Sequence, residues 1–246
     1  MQTFSTTPDM GNANVGIFIQ ERLRACHFWY AFLWKGVYIK MKNLDYRLYA
    51  VTTPCDSLLQ QVEAAIGGGI TMLQIREKNC ATEVRVRHAQ PLLALCRKYR
   101  IPCVINDDVN AAKILGADGV HVGQSDMSIR VARKILGDKV FIGTSVHNVE
   151  EARQAQADGA DYIGCGAVFD SKTKADASFL SLQMLHRICC EIEIPVVAIG
   201  GIGLKNVHML KNSGINGIAV VSAIFGQSDV LQSTRELRKI VDKIVK

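Results

Sequence analysis

From residue 47 onward the chain repeats one motif, a short apolar run with no in/out alternation, and this constrains its fold more than any other feature. The runs are RLYAVT (47–52), MLQIR (72–76), CVIN (103–106), GVHV (119–122), VFIGTS (140–145), YIGC (162–165), VVAIG (196–200) and GIAVVS (217–222). Strands that do not alternate are buried on both faces, which makes them parallel and covered by helices. Helix-length stretches lie between the runs, among them 57–66, 82–99, 128–136, 149–157, 179–192 and 230–245. The count is eight strands and about eight helices.

A second regularity has a longer period. A glycine that can end a helix leads into a strand at Gly69-Ile70-Thr71, Gly116-Ala117-Asp118, Gly159-Ala160-Asp161 and Gly214-Ile215-Asn216. Each interval holds two strand–helix units, so the glycines precede the even-numbered strands, whereas the third and seventh strands are entered through Pro102 and Pro195. A four-fold repeat of double units predicts an α/β fold of the (β/α)8 TIM-barrel type. An open doubly wound sheet is the alternative. At 246 residues, one barrel fits the length without a second domain.

Residues 1–40 read differently. They lack a hydrophobic period and carry both tryptophans, Trp29 and Trp34; the apolar stretch from Ala25 to Ile39 is interrupted by Lys35 and too short to span a bilayer. Arg22 and Arg24 precede it, but no small-residue cleavage site follows. The expectation is a disordered extension over 1–40, arising from an upstream start codon, and a single catalytic barrel over 41–246. The eight cysteines include no C-x-x-C pair and mostly sit in apolar runs, which indicates a reducing, cytoplasmic setting. The net charge of +6 is scattered, with no basic block. Small anionic substrates suit it better than nucleic acid or a membrane.

In a barrel, chemistry collects at the carboxyl ends of the strands. The second strand ends Gln74-Ile75-Arg76-Glu77-Lys78, so Gln74, Arg76 and Lys78 share a face toward the mouth and Ile75 points to the helices. Two cations there need an anion, supplied either by a ligand or by internal salt bridges. The third strand ends Asn106-Asp107-Asp108, and the fourth runs into Gly123-Gln124-Ser125-Asp126. Asp107 and Asp126 are candidate Mg2+ ligands or else merely caps; Asp108 reads as a helix cap. Ser145 can donate into the mouth, while His147 reads as structural. Phe169 to Lys174 form a polar, basic loop that either closes over a phosphate or stays solvated. Gly200-Gly201 and Val221-Ser222, at the seventh and eighth strands, mark the usual phosphate site of the fold. The mouth thus offers a monophosphate site and a metal-assisted site able to take a diphosphate.

The set QIREK (74–78), VINDD (104–108), ADGVHVGQSD (117–126), GTSVHNVEEA (143–152), DGADYIGCGAVFDSKTK (158–174), VVAIGGI (196–202) and AVVSAIF (219–225) resembles the thiamine phosphate synthase family over about residues 44–240. The resemblance implies a transferase that condenses 4-amino-2-methyl-5-hydroxymethylpyrimidine diphosphate with a thiazole phosphate, giving thiamine phosphate and diphosphate by a dissociative, Mg2+-dependent route. It implies that Gln74, Ile75, Arg76, Glu77, Lys78 and Asn106 hold the pyrimidine diphosphate and that Asp107 and Asp126 hold Mg2+. Ser145 and Lys174 would contact the pyrimidine substrate and its diphosphate. Ser171, Lys172, Thr173, Gly201, Val221 and Ser222 would hold the thiazole phosphate. Arg76, Lys78, Ser145 and Lys174 are the side chains expected to act in the reaction. A homodimer is what the family suggests.

Two departures stand out. Asp170 and Ser171 occupy positions where many members carry proline and threonine, and Ala167 replaces another common proline. Two rival readings remain, a thiazole tautomerase on the same barrel and a non-catalytic phosphate-ligand-binding barrel. The joint presence of Asp126, Thr173 and Lys174 favours the synthase over the first, and that of Asp107 and Asp126 favours it over the second.

Overall fold

The computed structural model describes residues 44–170 and 179–245. All eight apolar runs are strands: β1 (Leu48–Val51), β2 (Met72–Ile75), β3 (Cys103–Asn106), β4 (Gly119–Val122), β5 (Phe141–Val146), β6 (Tyr162–Cys165), β7 (Val196–Ile199) and β8 (Gly217–Val220). Each pairs in parallel with the next, and β8 pairs with β1, so the sheet closes on itself as a barrel. The helices are α1 (Leu58–Gly68), α2 (Thr82–Tyr99), α3 (Val109–Leu115), α4 (Ile129–Leu136), α5 (Val149–Ala157), α6 (Leu182–Glu191), the short α7 (Ser222–Phe225) and α8 (Val230–Ile244). This is the expected (β/α)8 barrel, and it lies in one compact unit, Lys42–Lys246.

Burial on both strand faces explains the missing alternation. Residues such as Leu48, Leu73, Ile105 and Ile163 point outward into the layer shared with the helices. Tyr49, Met72, Val104, Phe141, Tyr162 and Val197 point inward and fill the barrel. Ile75 belongs to the outer layer, as its phase in β2 requires.

The glycine repeat has a structural cause. Gly69, Gly116, Gly159 and Gly214 all take positive φ, between 59° and 91° for the last three and 100° for the first. Gly116 shows the gain: its amide turns back to the carbonyls of Ala112 and Lys113, closing α3 in a conformation glycine enters at little cost. The residue two places on then accepts from an amide at the start of the preceding odd strand. Thr71 takes the amide of Leu48 at 3.0 Å, Asp118 that of Cys103 at 2.9 Å, Asp161 that of Ile142 at 2.7 Å and Asn216 that of Val196 at 2.8 Å. Four donors that the sheet leaves over at its amino end are thereby satisfied.

Two connections differ from expectation. Between β7 and β8 the chain makes only a 3-10 turn, Val207–Leu210. Asn206 ties that loop down instead, accepting from the Gly203 amide and donating to the Gly201 carbonyl, both at 2.9 Å. The helix expected over 179–192 starts at Leu182, because Ser181 accepts from the Met184 amide and caps it there. Asp108 caps α3 as anticipated, accepting from the Ala111 amide at 2.8 Å. Residues 1–40 and the loop residues Ser171, Lys172, Thr173 and Lys174 lie outside the described residues. Among the described residues, no helix is long and apolar enough to cross a membrane.

Candidate active site

The carboxyl ends of β2, β3 and β4 bring one group of expected residues together. Gln74 is buried inside the barrel, and its Nε2 donates to Tyr49 Oη at 2.8 Å. The Arg76 amide donates to Thr52 Oγ1 at 3.0 Å, fixing the chain as it leaves β2. Lys78 is exposed at the rim. Glu77 goes elsewhere: its carboxylate lies 2.7 Å from His88 Nδ1 on α2, and its carbonyl accepts from Arg85. Its side chain is therefore not a contact of the mouth.

Asn106 ends β3 opposite His121 in the register, and it is buried. Asp107 follows with φ of 64°, a left-handed conformation that aspartate tolerates better than most residues, and its amide donates to the His121 carbonyl at 2.7 Å. Its carboxyl is pushed up to about 6 by burial and then by the charge and hydrogen bonding of Asp126, while Lys78 and Asn106 pull the other way. Asp126 accepts from the Gly123 amide at 2.7 Å. The two carboxyls thus lie together at the rim, within reach of the Lys78 charge. Such a pair is relieved by a proton or by a hard cation, and two carboxylates with no His or Cys are the donor set that suits Mg2+ bound jointly with phosphate oxygens. Asp107 and Asp126 are the residues that could hold it.

Asp108, next in the chain, points away from this spot. It pairs with Arg85, accepts from the Thr82 hydroxyl at 2.8 Å and caps α3. Burial raises its carboxyl, but the Ala111 amide, Thr82 and Arg85 outweigh burial and hold it below the usual range. Arg85 also donates to the carbonyls of Glu77 and Cys80. One guanidinium therefore clasps the loop that carries Lys78 to the segment that carries Asp107.

Ser145, the next-to-last residue of β5, is half-buried, with its Oγ 3.0 Å from His121 Nε2, and its carbonyl accepts from Gln124 at 2.6 Å. His147 lies 3.0 Å from Glu151 at the start of α5, a structural pairing as expected. On the other side of the closed strand order, Gly201 (φ 62°) follows β7, and Val221 and Ser222 follow β8. A Cβ on Gly201 would come within 2.3 Å of the Asp170 carbonyl oxygen, so the loops after β6 and β7 meet backbone to backbone.

A family model described as thiamine monophosphate synthase matches residues 48–224. The chain belongs to this family. It is 46% identical over 202 residues to the thiamine-phosphate synthase of Ruminiclostridium cellulolyticum, covering 80% of this chain and 96% of that one. It is 42% identical over 209 residues to the thiamine-phosphate synthase of Clostridium botulinum, covering 83% and 98%. Among solved structures, the thiamine phosphate pyrophosphorylase of Pyrococcus furiosus superposes with a TM-score of 0.76 at 38% identity, over 82% of this chain and 98% of that one.

Reading the thiamine monophosphate synthase motifs alone misses several residues that hold this mouth in shape. Arg85 looks like one more solvated helix cation, since its partner is far off in sequence. Tyr49, His121 and Tyr162 look like filling. The available signal was His121 itself, a polar residue inside the apolar run GVHV and in phase with the inward face of β4.

Proposed function

We propose that the barrel mouth carries out the family's reaction, joining 4-amino-2-methyl-5-hydroxymethylpyrimidine diphosphate to a thiazole phosphate with release of diphosphate. The chain is an enzyme of this type, a transferase of thiamine biosynthesis acting on small-molecule substrates. The observation that carries the site assignment is the Asp107 carboxyl beside that of Asp126 at the ends of β3 and β4, near enough to Lys78 to feel its charge. Arg76, Lys78 and, from the loop after β6, Lys174 neutralise the diphosphate; Gln74, Asn106 and Ser145 orient the pyrimidine. Of the QIREK motif, Ile75 contributes through its backbone, and Glu77 does the same. Ser171, Lys172, Thr173, Gly201, Val221 and Ser222 hold the thiazole phosphate. Asp107 and Asp126 would hold Mg2+, which when bound supplies positive charge as the leaving oxygens gain negative charge.

The bond between the pyrimidine methylene carbon and the diphosphate oxygen breaks first, and its electron pair leaves with diphosphate. The methylene cation left behind is stabilised by the ring amino group and captured by the thiazole nitrogen. This route asks the protein for leaving-group neutralisation and exclusion of water, not for a base. His88 and His147 are taken up by Glu77 and Glu151, as structural pairs. A cytoplasmic, homodimeric enzyme with a catalytic domain over 41–246 completes the proposal. The deciding experiment is thiamine phosphate formation from the two purified substrates with and without Mg2+. Product only with both substrates and Mg2+ supports the reading. Conversion of a thiazole phosphate alone, without metal, would point to a tautomerase, and no turnover to a ligand-binding barrel.

A further inference from the structure

An unbroken row of hydrogen bonds crosses the barrel interior beneath the mouth. Gln74 Nε2 donates to Tyr49 Oη at 2.8 Å, and Tyr49 Oη lies 3.0 Å from Tyr162 Oη. Tyr162 Oη lies 2.9 Å from His121 Nδ1, and His121 Nε2 lies 3.0 Å from Ser145 Oγ. Tyr49 and Tyr162 are buried, and space for the row is built in: a Cβ on Gly143 would fall 2.0 Å from Tyr162 Cζ, and one on Gly164 would fall 3.2 Å from His121 Cε1. Glycine at Gly143 is what lets the Tyr162 ring cross toward Tyr49.

The row has a direction. An amide nitrogen can only donate, so Tyr49 Oη receives from Gln74 and must send its own hydrogen to Tyr162. Tyr162 in turn sends its hydrogen to His121 Nδ1. A ring nitrogen that accepts carries no hydrogen, which puts the imidazole hydrogen on Nε2, where it points at Ser145 Oγ. Burial pushes both phenols far above their ordinary range, which keeps their hydrogens in place at neutral pH.

We infer that Tyr49, Tyr162 and His121 are positioning residues that fill the acceptor side of Ser145 Oγ and so leave its hydrogen aimed into the mouth, as a donor to the pyrimidine diphosphate. This rests on the reading of Ser145 as a substrate contact. The row makes Ser145 a donor of one fixed orientation, where an isolated serine would rotate among several. It also links Ser145 to Gln74, so two contacts of one substrate on β2 and β5 are set together.

The test is a double-substitution cycle with Tyr162→Phe and Ser145→Ala, assayed with both substrates at saturating Mg2+. Tyr162→Phe should lower kcat about tenfold, the worth of one well-placed hydrogen bond, with both KM values within about twofold. Ser145→Ala should lower kcat further, and the double variant should match Ser145→Ala alone. Losses that multiply in the double variant would overturn the inference. Tyr49→Phe cuts the row one step earlier and leaves Tyr162 in place; its loss should be about threefold and should also vanish in the Ser145→Ala background. In parallel, 15N NMR of histidine-labelled protein should show His121 with its hydrogen on Nε2. A hydrogen on Nδ1, together with a clear Ser145→Ala defect, would overturn the row while sparing the Ser145 assignment. An undiminished kcat in Ser145→Ala would remove both.

Discussion

Because burial and Asp126 lift the Asp107 carboxyl from 3.8 to about 6, the folded protein takes up a proton between those values that the unfolded chain does not. The sign follows. Metal-free protein gains stability as pH falls from about 6 toward 4, and above about 6 the paired charges count against the fold. Mg2+ bound to the pair must displace that proton. The Mg2+ concentration giving half-maximal activity should therefore be level above pH 7 and rise about tenfold per unit below 6, as read from metal titrations at fixed pH. Asp107→Asn should cut turnover by about two orders of magnitude or more, yet raise the melting temperature of metal-free protein by ~2–4 °C, because asparagine keeps the left-handed backbone without the charge. Near-native turnover with saturating Mg2+ would remove Asp107 from the metal assignment. Asp107 was legible because its place at a strand end, next to a capping aspartate, names it. Tyr162 was not, because its role depends on which rings meet across a closed barrel, and apolar runs say only that a ring is buried.

At the scale of elements, two features separate fold from site. The side chains of Thr71, Asp118, Asp161 and Asn216 hold the amino ends of the odd strands, far along the barrel axis from the mouth. Asp161→Ala should cost about 1–3 kcal/mol in urea unfolding, since it strands the buried Ile142 amide and removes the Arg133 contact, with kcat unchanged. The Arg85 clasp belongs to the site. Arg85→Leu leaves Asp108 buried without its cation, which should cost about 3 kcal/mol or more and raise KM for the pyrimidine diphosphate as the loop bearing Lys78 loosens. Stability loss with an unchanged KM would confine Arg85 to the fold. The glycine repeat was visible in the sequence because the turns into the even strands take positive φ at Gly69, Gly116, Gly159 and Gly214, a conformation glycine enters at little cost, although Gly214 follows a 3-10 turn rather than a helix. The 3-10 turn before β8 was not, since its order comes from Asn206 reaching back to Gly201 and Gly203, a contact that no periodicity marks.

For the whole molecule, closure decides what is dispensable. β1 is paired on both edges, by β2 and by β8, so the barrel presents no open strand to be covered. The last helix, α8, packs against α1, and Arg238 on α8 donates to the Gly69 carbonyl at 3.0 Å, which seals the junction between first and last units. Every strand among the described residues, every site residue assigned above and the whole match to the family model lie after Met41. A chain starting at Met41 should therefore have the same kcat, the same KM for both substrates and a melting temperature within ~2 °C of the 246-residue chain. Side-by-side assays and thermal scans of the two lengths check this. A drop of more than that, or a raised KM, would mean that residues 1–40 brace the barrel or its mouth, and the boundary at 41 would have to move.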